Sequence, residues 1–233
     1  MMKTIAVDVL PDDGFLDILL LAVKEYYILD ERLFDETIVD SHEKIRDIIS
    51  QKISSIMDVN PDFRDPKNIL LKEMMSAEFV DFYDISYLQF PNYVFKIVLN
   101  TSEKDYTKQS SSIFLVISLL TKFYTVFYEE NMNFIGLHDL WPSCEVNLLS
   151  EVNFNFDAEG AFFQKLKNIA QQVFPDYNFI SHTVLLSYTI KIGTPYGQFA
   201  KRDATLYEYL FDMGYAYRNT VLAQSLSFKQ SLD

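Results

Sequence analysis

The chain has 233 residues, 49% of them hydrophobic and 15% aromatic, enough to bury a sizeable core without disulfide or metal staples. Twenty Lys and Arg against 33 Asp and Glu give a formal charge of −13, which argues against a nucleic-acid grip built on phosphate neutralisation. A single cysteine excludes an internal disulfide, and six glycines with seven prolines exclude collagen-like and linker-dominated chains.

Residues Ile5 to Val9 alternate as a short strand, ended by the turn chemistry of Pro11, Asp12, Asp13 and Gly14. From Phe15 to Leu29 apolar residues almost encircle the axis, interrupted by Asp17, Lys24 and Glu25, which predicts a helix packed on several sides. Asp40 and Glu43 form a capping pair for a helix to about Met57, with a stripe of Ile45, Ile48, Ile49, Ile53 and Ile56. Glu43, Asp47 and Asp58 fall away from that stripe. Asp65 followed by Pro66 starts the next helix, which runs through Leu70, Leu71, Met74 and Met75.

After Pro91 the period changes: Tyr93, Phe95, Ile97 and Leu99 alternate with Lys96 and Asn100 as a half-buried strand. Residues 112–128 carry apolar side chains at both helical and strand spacing, and are read as a helix leading into a strand over Phe123 to Tyr128. Val152, Phe154 and Phe156 mark a strand with one polar face. Asp157 caps a helix burying Phe162, Leu166, Ile169 and Val173, stopped by Pro175; Val184 to Ile192 alternates as another strand, turned by Gly193 to Gly197. Thr205 and Glu208 make a capping box for a last helix, Leu206 to Phe211, with Gly214 past its end. The expected fold is α+β, a helical first third packed against a mixed, largely antiparallel sheet with additional helices. With no repeat or linker, residues 1–233 read as one domain, mainly helical over 1–90 and sheet with helices over 91–233.

The apolar run Ile18 to Val23 follows Asp12, Asp13 and Asp17 with only Lys3 as a basic flank, unlike an export signal. The most apolar stretch, Ile113 to Leu120, is far short of the ~20 residues of a spanning helix. No membrane association is expected, and the lone cysteine fits the reducing cytoplasm.

Neither a G-x-G-x-x-G nor a G-x-x-x-x-G-K sequence offers a phosphate loop, and Gly193 and Gly197 around Pro195 read as a turn. Asp8, Asp12 and Asp13 end the first strand with acids, and over residues 3–20 this resembles the opening of a response-regulator receiver domain. The resemblance stops there: Asp8 is followed by Val9, residues 41–57 read as helix, and Asp12 and Asp13 are read as turn and cap residues. His42, His138, Cys144 and His182 are too few and too scattered for a structural zinc site, so no metal or cofactor is expected. Cys144, in a stretch that also holds the sole tryptophan, Trp141, is a candidate nucleophile with His138 or His182 as base; the competing reading is a packed loop. No G-x-S-x-G elbow is present, and Asp81 with Asp84 and Glu129 with Glu130 read as solvated surface.

Charge is lopsided: residues 1–60 hold six basic and 13 acidic side chains, residues 151–233 seven and eight. Between Asp30 and Asp47 seven acids face three basic residues. Such a run is either a solvated face or a docking surface whose field selects a basic partner, with Glu31, Asp35, Glu36, Asp40, Glu43 and Asp47 as its contacts. Tyr26, Tyr27, Tyr83, Tyr87, Tyr207, Tyr209, Tyr215 and Tyr217 supply rings that interfaces favour as anchors. The function expected from these features is an acidic intracellular protein that binds a basic protein partner, neutralising it in the manner of a bacterial immunity or antitoxin protein, an analogy from charge and size. The alternatives are an enzyme of unknown class using Cys144 with His138 or His182, and a structural subunit that pairs with itself through its aromatic surface.

Overall fold

The structure, a computed structural model, describes residues 13–27, 42–57, 65–104, 107–134, 145–150, 157–190, 195–197 and 203–211. Among the described residues three helices come first, α1 (Asp13–Tyr26), α2 (Glu43–Met57) and α3 (Pro66–Glu78). A meander follows, β1 (Phe82–Asp84), β2 (Asn92–Lys104), β3 (Thr107–Ser118), β4 (Phe123–Phe134) and β5 (Glu145–Ser150), antiparallel throughout in the order β1-β2-β3-β4-β5. After α4 (Asp157–Val173), β6 (Asn178–Phe179) pairs parallel with the start of β4. Then come α5 (His182–Ser187), the two-stranded pair β7 (Thr189–Ile190) and β8 (Ala204–Thr205), and α6 (Leu206–Leu210). This is an α+β fold in whose large sheet β6 is, among the described strands, the one that pairs parallel.

Both faces of the sheet are covered. The aligned row Phe95, Leu115 and Val126 faces α3 and α4, packing with Leu71, Met75, Phe163 and Leu166. One residue along, Val94, Val116, Phe114 and Phe127 face the opposite layer, where Leu19 and Val23 of α1, Ile45 and Ile49 of α2, Leu185 of α5 and Tyr207 of α6 close the core. Phe114 and Phe127 stack with ring centroids 4.9 Å apart. Each such side chain, fully buried, contributes roughly 1.5–3 kcal/mol.

That two-sided burial corrects the expectation of a helix at the start of residues 112–128. Residues 112–118 are the second half of β3, residues 119–122 turn the chain, and the strand from Phe123 is present as expected. A strand with apolar neighbours on both faces loses its two-residue alternation, and Ile113, Val116, Ile117 and Leu120 also satisfy helical spacing. The strand expected over Val184 to Ile192 is corrected likewise: residues up to Ser187 form α5, Thr189–Ile190 pair as strand, and residues 191–192 lie outside the described residues. Val184, Leu185 and Leu186 are all apolar, and the core takes His182 and Leu185 one helical turn apart.

Local cap chemistry fared better. Asp65 caps α3, its Oδ1 accepting the Lys67 N–H at 3.0 Å, with Pro66 in the first turn. At α6, the Glu208 carboxylate accepts the Thr205 N–H at 2.7 Å while the Thr205 hydroxyl accepts the Glu208 N–H at 3.3 Å. This box fixes Tyr207, Tyr209 and Leu210 in the core, and the Ser118 hydroxyl donates to the Leu210 carbonyl at 2.6 Å to tie α6 to β3. Thr205→Ala is therefore expected to cost about 1–2 kcal/mol in urea denaturation; a loss within experimental error would show that the box is dispensable. In α4, Asp157 is the first helical residue, and Leu166, Ile169 and Val173 are buried as expected, joined by Phe163. Gly197 takes the left-handed φ of 85° that glycine favours. The expected strands at residues 5–9 and 152–156, the Asp40 cap, and Gly193 and Gly214 lie outside the described residues.

A residue of α2 sets the position of the β1–β2 loop. Lys52, 3% exposed, donates through Nζ to the carbonyls of Tyr87, Phe90 and Asn92 at 2.7, 2.9 and 2.6 Å, and lies 5.4 Å from the centre of the Tyr93 ring. The loop it holds displays Tyr87 and Leu88 to solvent.

Candidate functional site

Of the six acids expected to contact a partner, Glu43 and Asp47 are described, and both are exposed one turn apart on α2. Glu31, Asp35, Glu36 and Asp40 lie outside the described residues, as do Cys144 and His138. His182 is 3% exposed, its ring stacked on Phe127 at 4.2 Å and meeting the edge of Tyr207 at 4.8 Å. Neither ring nitrogen finds a hydrogen-bond partner among the described residues, and burial pushes its pKa down to about 3. As placed, it is a neutral core ring. Among the described residues no group of three His, Cys, Asp or Glu converges to hold a metal, and no helix is long and apolar enough to cross a membrane.

The end of α1 abuts the start of α2. Tyr27 meets His42 edge to face at 5.3 Å, and the Lys44 ammonium donates to the Glu25 carbonyl at 3.3 Å. Helix α1 was expected to pack on several sides, yet it leaves Ile18 54% and Leu21 65% exposed, while Leu19 and Val23 enter the core. Asp17 and Glu25 on α1 and Glu43 and Asp47 on α2 are exposed as well, as are the cations Lys24, Lys44 and Arg46. Exposed aliphatics on a helix that also exposes acids suit a partner that presents both apolar and basic groups.

The tyrosines divide. Tyr27, Tyr207 and Tyr209 are buried, Tyr27 and Tyr209 in edge contact at 4.9 Å, whereas Tyr83 and Tyr87 are about half exposed near the β1 edge. Tyr215 and Tyr217 lie outside the described residues. Tyr83 also lines a groove of about 430 Å³ with Asp81, Lys96 and Val98. Asp81 and Lys96 balance in charge, so this groove selects no sign of ligand.

A second cleft, of about 360 Å³, opens between α2 and α3, with Ser55 and Ile56 on one wall and Asp65, Asn68, Ile69 and Glu73 on the other. The Tyr93 hydroxyl donates to the second oxygen of Asp65 at 3.0 Å. Burial, then the Asp65 charge and hydrogen bond, raise the Tyr93 pKa against the opposing pull of Asn68 and Ser55, so the hydroxyl stays protonated. Asn68 is 5% exposed, with its side-chain amide beside the Tyr93 hydroxyl. Lys72, also on the cleft wall, is engaged by Asp84 at 2.7 Å. The sequence reading missed this polar group, because Ser55, Asp65, Asn68 and Tyr93 come from three elements and no local motif joins them.

The geometry defines a class, an α+β protein whose antiparallel sheet carries helical layers on both faces and whose α1–α2 surface mixes acids with exposed aliphatics. No family model matches the chain, and no curated protein or solved structure is significantly similar to it.

Proposed function

We propose that this chain is an acidic cytoplasmic protein-binding protein that docks on a basic protein partner and neutralises it in the manner of an immunity or antitoxin protein. The observation that carries the reading is the α1–α2 surface. There Ile18 and Leu21 stand exposed on α1 and Glu43 and Asp47 on α2, whose start meets the end of α1, in a chain of net charge −13 whose acids are concentrated before residue 60. Exposed aliphatics supply contact area for a stable complex, and the surrounding acids speed encounter with a basic surface and disfavour acidic competitors.

The double variant Glu43→Lys, Asp47→Lys changes four charges on one helix face without touching the core. Affinity for the partner is expected to fall roughly ten-fold or more at low salt, mainly through a slower association rate, with a shallower salt dependence. Unchanged affinity and unchanged salt dependence, measured by surface plasmon resonance, would place the docking surface elsewhere.

A further inference from the structure

We infer that the groove on the β1–β2 face of the sheet is a binding site for a free α-amino acid with an apolar side chain, its carboxylate at Lys96 and its ammonium at Asp81. The groove shares no residue with the α1–α2 docking surface and is independent of it.

Strand register builds the groove. Tyr83 of β1 lies opposite Lys96 of β2, and the Val98 N–H donates to the Asp81 carbonyl at 3.0 Å, so Asp81, Tyr83, Lys96 and Val98 share one face. Thr101, an odd number of residues beyond Val98, would point to the other face of a regular strand. The register shift between Val98 and Asn100 re-aims it, and Thr101 lines the groove with the others. Bulges recur beside active sites for this purpose. A volume of about 430 Å³ falls in the range of small-molecule sites.

Charge selects the ligand. Asp81 and Lys96 are diagonal neighbours on the sheet, about 7–8 Å apart and within reach of an ion pair. They do not form one: the Lys96 ammonium sits 5.4 Å from the centre of the Phe114 ring on β3, away from β1. Among the described residues neither Asp81 nor Lys96 has a partner of opposite charge. Lys96 is half-buried, so a ligand that covers it without offering an acceptor strips water from an ammonium at a cost, which a carboxylate offsets. A carboxylate alone brings like charge to Asp81, and an ammonium alone brings like charge to Lys96. A zwitterion satisfies both. Ile85 and Val98, each half-buried, give an apolar floor for the side chain, and Tyr83, 51% exposed, offers a ring beside it.

The test is a titration of the full chain by ¹⁵N NMR with L-leucine, with N-acetyl-L-leucine, which lacks the ammonium, and with L-leucine amide, which lacks the carboxylate. Leucine is expected to give saturable shifts at Asp81, Tyr83, Lys96, Val98 and Thr101, and either derivative to bind at least ten-fold more weakly. Asp81→Asn, at an exposed position, is expected to weaken leucine binding at least ten-fold without weakening N-acetyl-leucine. Lys96→Met keeps an apolar stem over Phe114 and is expected to weaken leucine as much without weakening leucine amide; should it fail to fold, the Asp81→Asn comparison decides. The inference is overturned by no saturable change up to about 100 mM, by either derivative binding as tightly as leucine, or by shifts centred outside the groove. Such a failure leaves the docking function standing, because the Glu43→Lys, Asp47→Lys variant that tests it alters no groove residue.

Discussion

Lys52→Met is expected to destabilise the protein by roughly 3 kcal/mol or more, one of the two largest effects of a single substitution anticipated here. Methionine keeps the unbranched stem, one atom shorter, and removes the three donors that hold the carbonyls of Tyr87, Phe90 and Asn92. Each carbonyl then loses a charge-assisted bond, of the kind worth about 1.5–3 kcal/mol, offset in part by no longer burying an ammonium. Lys52→Arg is not expected to rescue, because a planar guanidinium cannot reproduce three converging ammonium bonds at 2.6–2.9 Å. Urea denaturation decides the matter: a loss below about 1 kcal/mol would mean that the loop is held by its other contacts.

The second large effect depends on pH. The His182 pKa is about 3 in the folded chain and 6.5 in an unperturbed histidine, so between these values the unfolded chain binds a proton that the folded chain does not. Folding stability from this group is therefore complete above pH 6.5 and is lost as pH falls toward 3. By pH 4.5 the loss is on the order of 3 kcal/mol. His182→Phe keeps a ring stacked on Phe127, removes two nitrogens without partners among the described residues, and abolishes this component. The two proteins should be similar in stability at pH 7.5, with the variant pulling ahead as pH drops. Parallel stability curves, or a native His182 resonance that titrates near its ordinary value, would contradict the buried neutral ring.

The sequence was most informative where the chemistry is local. The Asp65–Pro66 start of α3 and the Thr205–Glu208 box of α6 depend on residues a turn apart, and both are present. It misled where tertiary packing decides: residues 112–118 are strand because two helical layers, distant in sequence, cover both faces of β3. Lys52 shows a signal that was available and passed over. Its position continues the stripe of Ile45, Ile49 and Ile56 at spacings of four, three and four, so a lysine there had to enter the core or break the face. The exposure of Ile18 and Leu21 was hidden for the opposite reason: an almost continuously apolar helix does not reveal which of its sides the fold leaves open. Nor could any periodicity announce the cleft, since the Tyr93 hydroxyl and the Asp65 carboxylate are 28 residues apart.

The most direct test of the docking function is affinity capture from the source lysate at low and high salt, run in parallel with the native chain and with the Glu43→Lys, Asp47→Lys variant. One basic protein is expected, retained near stoichiometry by the native chain at low salt, released by high salt, and depleted from the variant. An equal yield of the same proteins on both chains, or nothing retained by either, would contradict it.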